Sequence, residues 1–241
     1  VKIVLIERTN NIKKEIFNIL APYLEDILGI YLVGSYARGE QDETSDIDII
    51  AISNQTKKEI ISGKYNISII TLEGAKKTIE NNPVFILPSI VEAKVILNKN
   101  LLEELKKIKL NKNAFKSFIE DTKRTIKINR NIIDIDESQG FDYLDSKNII
   151  YSLVLRLRGV FLIKKLISKI RYSKEDFTVW LKLKMSKEEL KSVLNIYKDV
   201  KNNKKSNERL KINSAKKLLY ILETEIKKLE NEQKKEARKR N

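Results

Sequence analysis

Apolar positions along this chain change period partway through. Asn11 to Leu28 carries apolar residues every three to four positions, the spacing of an amphipathic helix. The next apolar runs are short and rich in β-branched residues, which fits strands: Ile30 to Val33, Asp46 to Ile52, Asn66 to Leu72 and Ala93 to Leu97. Between them the pattern predicts short helices near 56–62, 74–81 and 100–109. Farther on, helical periodicity dominates and predicts helices near 113–132, 144–170, 173–183, 186–202 and 207–237. Turn-forming residues follow the same division. Pro22, Pro83, Pro88 and five of the seven glycines fall before residue 90, and the 153 residues after Pro88 contain no proline.

The expected class is therefore α+β. A small mixed sheet with flanking helices occupies 1–110, and a helical bundle occupies 111–241, with the boundary at Asn111 to Asn113. The stretch from Ser146 to Ile170 is apolar on most faces, so it should run through the centre of the bundle. Gly159 within it implies that another helix packs closely there. Trp180, among Phe177, Val179 and Leu181, reads as core. The charged tail, Lys234 to Asn241, is expected to fray.

Charge divides the chain in the same way. Residues 1–100 carry 12 Lys+Arg against 13 Asp+Glu, whereas 101–241 carry 36 against 20. All of the net +15 therefore lies in the helical half. Such asymmetry suits a polyanionic partner, most simply nucleic acid, and it also suits a plain lysine-rich solvated surface. The chain has no cysteine, which excludes disulfides, thiolate metal sites and Cys nucleophiles. It has no histidine either, so acid–base chemistry falls to carboxylates, lysines or tyrosines. No run of 18 apolar residues and no leader pattern is present, and the expectation is a soluble, cytoplasmic protein with no membrane contact.

The most specific chemistry lies in Tyr31-Leu-Val-Gly-Ser-Tyr-Ala-Arg-Gly-Glu-Gln-Asp-Glu-Thr-Ser-Asp-Ile-Asp-Ile-Ile50. Gly34 breaks a strand and lets backbone approach a phosphate closely, and Ser35 is placed to cap a short helix whose free N–H groups favour an anion. Asp46 and Asp48, two apart on a strand, project to one face. Paired carboxylates suit Mg²⁺, which binds through one or two acids plus substrate phosphates.

This Gly-Ser-x10-Asp-x-Asp pattern resembles the DNA polymerase β-like nucleotidyltransferase superfamily, in particular its minimal nucleotidyltransferases. The match covers residues 28–52 closely and the first hundred by order of elements. The resemblance implies transfer of NMP, with AMP from ATP the first choice, to a hydroxyl on RNA or on a protein. It implies that Asp46 and Asp48 bind two Mg²⁺ ions, with Mn²⁺ as a substitute, and that Gly34 and Ser35 cradle the β- and γ-phosphates. A helical domain beside such a catalytic domain commonly helps bind substrate. A degenerate nucleotide- or RNA-binding module and an antitoxin-like protein partner are the other readings, and the oligomeric state is open.

Active members of that superfamily usually add a third carboxylate from a neighbouring strand. Ser68 takes that position in Asn66-Ile67-Ser68-Ile69-Ile70, leaving Glu73 as the nearest catalytic substitute and Glu92 as the next. The acids at Asp134, Asp136, Glu137, Asp142 and Asp145, read as one interhelix loop, are a farther source. Arg38 can reach a phosphate or pair with Asp42 or Glu43. Arg156 and Arg158 can bind triphosphate or RNA phosphate, or pair with the acidic loop. Arg171 and Tyr172 are weaker substrate-binding candidates.

Overall fold

Ile47, Ile49 and Ala51 alternate with Asp48 and Ile50 along one strand, and that alternation sorts the two faces of a sheet. The computed structural model describes residues 2–111, 113–168 and 170–239, with side chains between 11 and 233. The chain divides into two compact units, Val1–Asn111 and Lys112–Asn241.

The first unit opens with α1 (Lys2–Leu20), followed by a 3₁₀ turn over Ala21–Asp26. The helix was expected to run to Leu28. Pro22 has no N–H to continue the ladder and disfavours helical geometry at the residue before it, so the chain tightens and leaves the helix. Asp26 then accepts the amides of Gln55 and Thr56, drawing Ile27 into the sheet early. The remaining elements are β1 (Ile27–Val33), α2 (Gly34–Arg38), β2 (Ile47–Ser53), β3 (Lys58–Ser62), β4 (Tyr65–Thr71), α3 (Leu72–Asn81), α4 (Leu87–Glu92), β5 (Lys94–Leu97) and α5 (Lys99–Lys106).

β3 corrects the helix expected near 56–62. Gly63, at φ +55°, lets a two-residue turn fold Ile60 and Ile61 back onto β4, and pairing overrides the local helical pattern. The five strands lie in the order β3-β4-β2-β1-β5. β2 and β4 are parallel and the other pairs antiparallel, which makes the sheet mixed. Ile16 and Leu20 of α1 pack on one face, against Ile30, Ile47, Ile49, Ala51, Tyr65, Ile67 and Ile69. By alternation Asp48, Asn66 and Ser68 belong to the other face.

The second unit is helical: α6 (Lys116–Ser138), α7 (Asn148–Ile167), α8 (Lys174–Lys182), α9 (Lys187–Lys201) and α10 (Ile212–Lys239). α7 is central, packing on α6, α9 and α10, and nine of its residues are buried. A Cβ on Gly159 would overlap the Phe118 ring, so α6 is the helix that needs this glycine. Lys123–Glu230, Arg130–Glu223 and Glu137–Lys216 step along α6 and α10 in opposite directions at seven-residue intervals, which marks the two helices as antiparallel.

Glu225, 1% exposed, meets Lys164, Lys184 and Lys228. Burial works against its charge, but the three lysines outweigh it and hold the carboxyl at about pKa 2. Trp180 is half-buried against Phe161 and Phe177. α10 continues through the tail expected to fray, reaching Lys239; residues 240–241 lie outside the described residues.

Candidate functional site

β1 ends at Val33, and Gly34 turns the chain into α2 at φ +70°, a conformation that favours glycine. A Cβ at this position would overlap Asp48 Oδ2, so the Asp48 carboxylate lies directly against the turn. Val33 provides no side-chain cap, and Ser35 lies inside the helix instead of capping it as expected. The Gly34 N–H donates instead to Glu92 Oε1 at 2.9 Å, an acceptor 58 residues away at the end of α4. α2 closes at Gly39, also at positive φ. The loop that follows is shaped by Asp42, whose Oδ1 accepts from the Thr44 amide and hydroxyl and from Ser45 Oγ.

That loop delivers Asp46 immediately before β2. Asp46 is exposed and Asp48 half-buried. Alternation along β2 directs the Asp48 carboxylate to the face opposite α1, and Asp46 lies two residues before it, just outside the strand. Gly34→Ala combines forbidden backbone with a clash against Asp48. It is expected to destabilise the protein by about 1–3 kcal/mol and displace the carboxylate. A thermal melt alongside a Mg²⁺ titration checks both effects.

The register of β4 revises the third position. Asn66 stands opposite Asp48, whereas Ser68 stands opposite Ile50 and donates to Glu59 Oε2 at 2.7 Å. Ser68 shares the face of Asp48 but sits one pair too far along, and the side chain level with Asp48 is a neutral amide. Glu73 is also corrected. β2 and β4 are parallel, so the end of β4 lies beside Ser53, five residues or about 16 Å along the sheet from Asp48. Glu73 lies beyond that end, in the first turn of α3. It cannot join the Asp46–Asp48 pair.

Arg38 points into the protein, with its side chain 10% exposed. Its Nη1 donates to both oxygens of Glu92, at 2.7 and 2.8 Å, and its Nε donates to Glu40 at 2.7 Å. Of the two readings of Arg38 the ion pair is the one seen, and its partners include Glu92 and Glu40. Nothing local in the sequence joins Arg38 to Glu92; the contact needs α4 packed on α2.

Just over half the chain, residues 13–136, matches the model of the nucleotidyltransferase domain. The chain belongs to the nucleotidyltransferase domain family. Its members typically use divalent metals. Among solved structures, the chain is similar to the spectinomycin adenyltransferase AAD(9) from Enterococcus faecialis, solved with ATP and spectinomycin. Identity is 15%, coverage is 92% of this chain and 98% of that one, and the TM-score is 0.47. It is also similar to a nucleotidyltransferase-like protein from Exiguobacterium sibiricum 255-15, at 15% identity, with 89% and 73% covered and a TM-score of 0.35. No curated protein matches it.

The donor set of this nucleotidyltransferase has a definite composition. Among the described residues no three acidic side chains converge as a metal cluster. Two carboxylates with room for phosphate oxygens fit one hard divalent cation; they do not by themselves fit two.

The remaining candidates lie in the helical unit. Arg156 pairs with Asp121 at 2.6 Å and lies over the Phe118 ring, and Arg158 lies over Tyr172. Asp121 belongs to α6, so the acidic loop is not the Arg156 partner. That loop is also shorter than expected, because Asp134, Asp136 and Glu137 are part of α6. Asp136 accepts the Asp145 amide, which ties the loop to α6, and the Asp142 carbonyl accepts the Ile212 amide, which ties it to α10. Tyr172 is buried against Phe161, and Arg171 is exposed.

Proposed function

We propose that this protein transfers NMP from an NTP, with ATP the first triphosphate to test, to a hydroxyl at an RNA 3′ end. The observation that carries the reading is the Asp48 carboxylate set against the positive-φ turn of Gly34, with Asp46 two residues before it. Asp46 and Asp48 would hold Mg²⁺ or Mn²⁺. When bound, the cation would neutralise phosphate charge and favour the in-line displacement. Gly34 and Ser35 would bring backbone close to the β- and γ-phosphates. Charge supports a polyanionic acceptor: the first unit has 15 Lys+Arg against 15 Asp+Glu, the second 33 against 18. On α9, Lys187, Lys191, Lys198 and Lys201 are all exposed. They fall within about 80° of arc along about 21 Å of helix.

The neutral amide at position 66 implies one firmly held ion and slow transfer. Asn66→Asp is expected to tighten Mg²⁺ binding and raise the transfer rate about tenfold or more, whereas Ser68→Asp changes neither greatly. Single-turnover rates across a Mg²⁺ series measure both.

The reading is tested with ATP labelled at the α- or the γ-phosphate, presented to the full chain with Mg²⁺ and an RNA oligonucleotide. Label should enter RNA from the α-position only and disappear when the 3′ hydroxyl is blocked. Label on protein would move the acceptor to a tyrosine or serine. MgATP binding with no transfer at all would make the protein a nucleotide-binding module.

A further inference from the structure

Glu92 carries a buried carboxylate at the edge of the candidate nucleotide site, bound to the Gly34 turn and to Arg38. It is 8% exposed and makes three short contacts, to the Gly34 amide at 2.9 Å and to Arg38 Nη1 at 2.7 and 2.8 Å. We propose that Glu92 is a positioning residue for nucleotide binding: it caps the Gly34 turn from α4 and has its charge offset by Arg38, which it shares with Glu40. This rests on the reading of Gly34, Asp46 and Asp48 as that site.

Two observations separate this role from a plain ion pair. First, the Gly34 N–H begins a helix with no side-chain cap of its own, and in the left-handed conformation it points to Glu92. Without that acceptor a partly buried donor is stranded, and the turn that sets Gly34 against Asp48 loses its anchor. Second, Asp46 and Asp48 already place two negative charges where a triphosphate must approach. A third carboxylate touching the same turn would repel the ligand, and Arg38, which also pairs with Glu40, offsets that repulsion at close range. Arg38 cannot leave for a phosphate without stranding Glu92 in a buried position, so the guanidinium acts through Glu92 and not on the nucleotide.

The two roles give different patterns on substitution. Glu92→Gln keeps an oxygen for the Gly34 amide and removes the charge, so MgATP affinity should stay within about threefold. Glu92→Ala removes the acceptor and should weaken MgATP binding about tenfold. Arg38→Gln uncovers Glu92 and Glu40 together and should weaken that binding about tenfold or more, and the pair Arg38→Gln with Glu92→Gln should recover a measurable part of that loss, Glu40 accounting for the rest.

The experiment is calorimetric titration of MgATP into the full chain and these four variants, with circular dichroism confirming the fold. Recovery in the double variant is the expected result, and it keeps the test decisive even if Glu92→Ala fails to fold. A double variant as weak as Arg38→Gln alone overturns the proposal, as does Glu92→Ala binding like the unaltered chain. If the unaltered chain binds no MgATP, the nucleotide reading fails and takes this inference with it. That outcome is distinguishable because it appears before any substitution is made.

Discussion

Asp46→Asn together with Asp48→Asn is expected to abolish Mg²⁺-dependent nucleotide binding and to lower any nucleotidyl transfer by at least about 100-fold, while the fold survives. Asp46 precedes β2 and is exposed, and Asp48, the second residue of β2, is half-buried on the face that alternation sets away from α1. Asparagine is nearly isosteric, so stability should change by no more than about 1 kcal/mol. The charge that attracts a divalent cation is lost altogether. Titration of MgATP into the folded double variant, with a thermal melt beside it, checks both halves. Unchanged affinity would remove the carboxylate pair from the account.

The second large effect is expected from the helical unit. From Ser146 onward there are 27 Lys+Arg against 11 Asp+Glu, and on α9 four exposed lysines form one stripe with Glu188 and Asp199 outside its arc. If the stripe tracks a single-stranded backbone, replacing Lys187, Lys191, Lys198 and Lys201 by glutamine removes about four phosphate contacts. The slope of log affinity against log salt should then become shallower by about 3. At low salt the loss should exceed about 100-fold, because counterion release drives this kind of binding. Fluorescence anisotropy with one labelled RNA at several salt concentrations measures it. An unchanged slope would assign the lysines to solubility alone.

What the sequence disclosed, and what it hid, follows from the range of the interactions involved. The turn at Gly34 and the pair at Asp46 and Asp48 are contiguous, so their spacing was enough to find them. The five helices of the second unit were legible because four show an apolar face at a regular period and α7 is apolar on most of its faces. β3 was not, since Ile60 and Ile61 become a strand only by pairing with β4. The third-acid position depended on register. Counting along one strand pointed to Ser68, but the parallel pairing puts Asn66 level with Asp48 and carries Glu73 to the far end of the sheet. Glu92 was weighed only as the next substitute for the third acid after Glu73, because its link to Arg38 spans 54 residues. Glu225 and its three lysines gave no local signal, since the cluster gathers side chains from α7, α10 and the segment after α8.

The central claim is that Mg²⁺ and a nucleoside triphosphate bind together at the start of β2. Amide hydrogen exchange of the full chain, read with ATP, with Mg²⁺ and with both, tests it most directly. The account predicts protection of 34–38 and 46–48 when both are present, and little with either alone. Protection confined to 112–241, or none at 34–38 and 46–48 at saturating MgATP, would contradict it.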